Sequence, residues 1–78
     1  MTLDLVAVGA AATVKSVAGD RETARRLMEM GLLPGTRVQV VRIAPMGDPV
    51  ELRLRGYALS VRRAVAKHVE VDHVSHGD

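Results

Sequence analysis

The 78-residue sequence predicts a mainly β fold with one helix: a small, partly open barrel of about five short strands, with the helix inserted between strands 1 and 2. Three observations predict it. Val50-Glu51-Leu52-Arg53-Leu54-Arg55 alternates apolar and charged residues without a break, the period-two signature of a strand with one buried face. Ala24, Leu27, Met28 and Gly31 recur at i, i+3, i+4 and i+7, which is one face of a helix. The remaining apolar runs are short and separated by Gly, Pro and Asp, the punctuation of a small β domain.

In chain order, Met1 to Gly9 carries Leu3, Leu5, Val6 and Val8, and reads as an extended segment docked on the domain. Ala11 to Val17 is the first strand. Val14 and Val17 fall out of simple alternation, so a bulge or early end is expected. Asp20 follows Gly19 and can cap the free N–H groups of the helix, with Glu22 favourable at the positive end of its dipole. Glu22 can pair with Arg26, and Arg25 with Glu29.

The helix should stop at Gly31, which takes a positive φ without a Cβ clash. Leu32 would then seal the ending against Leu27. Pro34-Gly35 sets a turn, and Thr36 to Ile43 forms the longest strand. Val38 and Val40 lie on one face of it, Val41 and Ile43 on the other, so the strand is either buried on both sides or contains a bulge, and a bent strand crossing from one sheet to another fits so small a domain best.

Ala44 to Pro49 is a loop fixed by Pro45, Gly47, Asp48 and Pro49. Val50 to Arg55 and Ala58 to Arg62 make a hairpin, its tight turn at Gly56-Tyr57. Arg63 to His68 suits one helical turn, and Val69 to Val71 is a last short strand. One domain is expected over residues 1–74, with a frayed tail over 75–78.

Composition narrows the function. With 47% hydrophobic residues a core is available, but Tyr57 is the lone aromatic, so the core must be built from Val, Leu, Ile, Ala and Met. No cysteine is present to bridge strands or bind metal as thiolate. The 11 basic residues are interleaved with 9 acidic ones, and nothing is available to stack on bases, which argues against nucleic acid. No apolar run reaches the length of a membrane span and no signal peptide is evident, so a cytoplasmic protein is expected.

No nucleophile frame and no phosphate-binding loop occurs, and no catalytic residue or cofactor is expected. His73 and His76 have the spacing of a weak metal pair. A structural site needs four ligands and a fixed second shell, which an acidic tail does not supply, so no metal is expected there. What asks for a partner is apolar. Met30 and Leu33 flank the corner off the core stripe, and Met28 and Met46 are read as lying at the same end. Such residues either fill gaps in an aromatic-poor core or form an exposed patch rimmed by Arg25, Arg26 and Arg37, the composition of a protein-binding site.

Three blocks together resemble the FeoA family, ferrous iron transport protein A. They are Leu27-x-x-Met30-Gly31-Leu32-Leu33-Pro34-Gly35-Thr36-x-Val38; Ala44-Pro45-Met46-Gly47-Asp48-Pro49-Val50; and Leu59-Ser60-Val61-Arg62-Arg63 followed by Ala66 and Val69-Glu70-Val71. The resemblance implies an SH3-like barrel and an accessory role in bacterial ferrous iron uptake. It also implies the FeoB permease as partner, contacted through its cytoplasmic GTP-binding region. SH3 grooves that take proline peptides are lined with aromatics, and only Tyr57 is available here. A contact through Leu27, Met30 and Leu33 is therefore the expectation. The same barrel resembles the C-terminal domain of iron-dependent repressors, which leaves metal-dependent regulation as the alternative.

Overall fold

In the computed structural model, which describes residues 1–76, the elements follow one another as strand, helix, strand, strand, strand, short helix, strand. β1 spans Ala10–Val17, α1 Arg21–Glu29, β2 Arg37–Ile43, β3 Val50–Leu54, β4 Tyr57–Val61, α2 Arg63–Ala66 and β5 Val69–His76. The strands form one antiparallel sheet in the order β4-β3-β2-β1-β5. The helix lies between strands 1 and 2, as the sequence predicts. The sheet is not closed: β4 and β5 end it as two separate edges.

Alternation builds the core. Val50, Leu52 and Leu54 of β3, Val38 and Val40 of β2, and Val14 of β1 are all buried. Leu27 and Leu32 close one side of this core and Leu3 and Val6 another. The core is made of Leu, Val and Ala. All four methionines are exposed, so Met does not fill gaps as composition suggested. β2 does not cross between two sheets, since all five strands lie in one; it contains the bulge instead, as a register shift between Val40 and Arg42 that turns Val41 and Ile43 to partly buried positions on the strand's second half. β1 is also irregular where it meets β5, between Ala11 and Thr13 and between Val14 and Ser16.

Several local expectations are corrected. The N-terminal segment is not extended: Leu3–Leu5 forms a 3-10 turn that buries Leu3, and only Thr2 bridges to Glu70. The hairpin turn lies at Arg55-Gly56, both at positive φ, and Tyr57 pairs with Leu54 as the first residue of β4. β5 continues past Val71 to His76, because Ser75 and His76 find partners in Ala11 and Ala10. Only Gly77 and Asp78 of the expected tail lie outside the described residues. Arg25 pairs loosely with Glu29, at 4.0 Å, whereas among the described residues no ion pair joins Glu22 to Arg26.

The loop after β2 is held by Arg63. Its Nε donates to the Gly47 carbonyl at 3.1 Å and its Nη1 to the Asp4 carbonyl at 2.8 Å. The Asp48 carboxylate accepts from the Arg63 N–H at 2.9 Å, so it caps the first turn of α2. The Asp48–Pro49 peptide bond is cis. One arginine thus ties together the N-terminal turn, the β2–β3 loop and α2.

Candidate protein-binding site

The corner between α1 and β2 is built by the backbone. Asp20 accepts from the Thr23 N–H at 3.0 Å and starts α1, and hydrogen bonding to the Thr23 side chain and N–H holds the Asp20 carboxyl below its ordinary value. At the other end Leu32 N–H donates to the Leu27 carbonyl at 3.1 Å and Gly31 N–H to Met28 at 3.0 Å. With Gly31 at φ 109°, that is a Schellman ending, and Leu27 and Leu32 seal it as buried neighbours. Leu33 N–H reaches the Gly31 carbonyl, Gly35 reaches Val14, and Thr36 reaches Leu33. Every main-chain N–H from Met30 to Thr36 is therefore paired, Pro34 having none to pair.

The β3–β4 hairpin grips this corner from the other side. The Tyr57 hydroxyl donates to the Met30 carbonyl, and Arg55 Nη2 donates to Thr36 Oγ1 at 3.2 Å. Tyr57 is thus not a ring at a hairpin tip but a strap across the end of α1. The approach leaves no room at Gly31: a Cβ there would collide with the Tyr57 hydroxyl.

Against this rigid frame lies a cleft of about 160 Å³ lined by Thr23, Arg26, Leu27, Met30 and Val65. α1 supplies its long wall and α2 contributes Val65. Met28, Met30, Leu33 and Tyr57 each keep more than a third of their surface exposed; Met30 lines the cleft, whereas Met28 lies on the other side of α1. Arg25 and Arg26 are exposed on the same helix. The arrangement suits an apolar contact that excludes water beside cations, with Met able to adapt its rotamer to the partner.

Three expected members of the patch are elsewhere. Leu27 is 1% exposed and belongs to the core, because the sealing of the helix end draws its side chain inward; it forms only the floor of the cleft. Arg37 is committed across the sheet, its Nη1 donating to Thr13 Oγ1 at 3.0 Å and to the His73 carbonyl at 2.6 Å, and its Nη2 to Ser75 Oγ. Strand pairing sets Arg37 opposite Thr13, with β5 on the far side of β1, so its guanidinium spans β1 rather than the corner. Met46 is fully open to solvent, but its loop lies at the end of β3 opposite the turn that grips the corner. Val65 was missed by sequence reasoning, since a four-residue helix has too little periodicity to show which side chain faces α1.

His73 and His76 are both exposed on β5. Among the described residues no group of three or more His, Asp or Glu side chains is placed to hold a metal ion. The Met1 ammonium lies 2.7 Å from Glu70, and that hydrogen bond and charge lower the Glu70 carboxyl.

A five-stranded antiparallel sheet with one helix inserted between its first two strands defines a small SH3-like fold. The chain belongs to the FeoA family: the FeoA domain model matches residues 1–73. It is 36% identical over 75 residues to the Fe(2+) transport protein A/Fe(2+) transporter FeoB fusion protein of Porphyromonas gingivalis, covering 96% of this chain and 9% of that protein. Among solved structures, the FeoA protein of Chlorobium tepidum superposes with a TM-score of 0.84 at 41% identity, over 91% of this chain and 68% of that one. Stenotrophomonas maltophilia FeoA, described as a procaryotic SH3 domain protein and solved with zinc, gives 0.80 at 33% identity over 92% of this chain and 89% of that one. A manganese-dependent transcriptional repressor shares the fold alone, with a TM-score of 0.84 at 16% identity over 92% of this chain and 35% of that one.

Proposed function

We propose that this chain is a non-catalytic accessory module of ferrous iron uptake. Its partner is a FeoB-type permease, bound through the cytoplasmic GTP-binding region. The observation that carries this reading is the relative in which transport protein A and FeoB are one polypeptide. Joining two modules in one chain makes their encounter intramolecular and raises its effective concentration, which is of use when the two must meet. Among the described residues no helix is long and apolar enough to cross a membrane. Recruitment to the membrane comes through the partner.

Met30 and Leu33 make the contact, with Arg25 and Arg26 at its rim. Their physical support is the paired backbone beneath them: a surface held in one pose costs less conformational entropy on binding. The alternative, a stand-alone regulatory domain, gains from the manganese-dependent repressors only a shared fold.

The test is capture of the permease's soluble GTP-binding region by the wild-type chain and by Leu33→Asp, followed by titration of its GTP hydrolysis. Capture by the wild type and loss with Leu33→Asp is expected. Undiminished capture by Leu33→Asp removes the corner from the mechanism. No capture by the wild type removes the permease. Proven binding with an unchanged hydrolysis rate leaves assembly as the role.

A further inference from the structure

The corner is loosest at Gly31. Its φ of 109° calls for glycine, and glycine leaves the backbone on either side free to pivot. The pivot lies between Met30 and Leu33, the two residues proposed for the contact. Its two sides are held differently. On one side Leu32 is fully buried and its N–H reaches the Leu27 carbonyl, so Leu33 follows a residue anchored in the core. On the other side Met30 caps α1, and its side chain stays 37% exposed. Its carbonyl is one of those at a helix end that no further turn can satisfy.

The Tyr57 hydroxyl satisfies that carbonyl. Among the described residues this is the one hydrogen bond that ties the stretch from Met28 to Leu32 to a segment beyond the corner. The other main-chain bonds of the stretch stay within residues 26–33. Tyr57 is itself held in place, since it pairs with the buried Leu54 at the closed end of the hairpin. The hydroxyl therefore pins the peptide group between Met30 and Gly31, on the side of the pivot that the core does not hold.

We infer that Tyr57 is a positioning residue for the partner contact: its hydroxyl holds the end of α1 so that Met30 is presented in a single pose before the partner arrives. The inference rests on the contact proposed above. Tyr57 acts through Met30 and not through Leu33, because Leu32 already fixes the chain on the Leu33 side. The effect has an upper bound. Apparent affinity falls in proportion to the fraction of the free chain that holds the binding pose, and one hydrogen bond shifts that fraction by about tenfold at most.

Tyr57→Phe tests this, since it keeps the ring and removes only the donor. Its affinity for the permease's soluble GTP-binding region is measured in the wild-type, Met30→Ala and Leu33→Ala backgrounds, at a temperature where circular dichroism shows every variant folded. Tyr57→Phe should weaken binding several-fold in the wild-type and Leu33→Ala backgrounds and leave it nearly unchanged in Met30→Ala. NMR order parameters of the backbone amides give a readout that needs no partner and that a loss of global stability does not move. In Tyr57→Phe they should fall at Met30 and Gly31 and hold at Leu32. Equal weakening in all three backgrounds overturns the inference, because the hydroxyl would then act independently of the Met30 side chain. Unchanged binding overturns it, and so do unchanged order parameters at Met30 and Gly31. Failure of the wild type to bind removes the permease reading instead, and the order parameters then decide by themselves whether Tyr57 holds Met30.

Discussion

The hydroxyl of Tyr57 donates to the main-chain carbonyl of Met30, and so the lone aromatic of the chain fastens the β3–β4 hairpin to the end of α1. A hydroxyl reaches that carbonyl only because Gly31 has no side chain. The Cβ of any other residue there would overlap the hydroxyl, while the ring carbon bearing it stays at an ordinary 3.4 Å.

Tyr57→Phe should therefore cost only the hydrogen bond, about 1 kcal/mol. Gly31→Ala should cost more, about 2 kcal/mol or above, because a positive φ and a collision add. In the double variant the collision is relieved and the backbone cost stays. Urea unfolding of all four proteins tests this: the double variant should lose less than the two single variants together. Strict additivity would mean that the hydroxyl does not constrain position 31.

Leu27 and Leu33, six residues apart, should separate stability from binding. Leu27→Ala empties a fully buried site and should cost about 2–5 kcal/mol. Leu33→Ala, at 39% exposure, should stay within about 0.5 kcal/mol of wild type. Thermal melts give the first comparison, and capture of the permease's soluble region gives the second. A Leu33→Ala protein as unstable as Leu27→Ala would contradict the burial pattern.

Arg63 should be irreplaceable by lysine. Its Nε and Nη1 donate to two carbonyls in different segments, and a single ammonium cannot span both. Arg63→Lys should lose about 1–3 kcal/mol and Arg63→Ala at least as much. Chemical denaturation measures the loss. Amide exchange should rise in the loop from Ala44 to Pro49 and in the N-terminal turn, and spare the centre of β1.

Asp20 predicts the sign of one pH effect. Hydrogen bonding to the Thr23 side chain and N–H lowers the carboxyl from the ordinary 3.8 in the folded chain. A depressed folded value means that the contribution is complete above about pH 3.8 and is lost as the pH falls through the lower folded value. Asp20→Asn can still cap but cannot titrate. Its stability relative to wild type should rise on acidification below that range, followed by circular dichroism melts from neutral pH downward. A constant difference across that range would show that the cap does not titrate with folding.

Much of the architecture was legible because it is set by nearest neighbours in the chain. The alternation of Val50 to Leu54, the cap at Asp20, and the ending at Gly31 with Leu27 and Leu32 each depend on residues a few positions apart. The bulge in β2 was legible for the same reason, since Val40 and Val41 cannot both face one side of a strand. What stayed hidden depends on residues that meet only when the sheet forms. Arg37 reads as a rim cation until β1 and β5 bring Thr13, Ser75 and the His73 carbonyl beneath it. Ser75 and His76 read as a polar tail until Ala10 and Ala11 offer them a ladder.

The sequence by itself determined the corner: a helix ended by glycine, a turn made by Pro34-Gly35, and apolar residues on either side. The tertiary structure alone decided which of them face water. Leu27 and Leu33 are the same residue type and differ because the Schellman ending turns the first into the core. Only the folded hairpin brings Tyr57 to Met30. Local geometry follows from steric rules within a few residues, whereas exposure depends on what other segments cover.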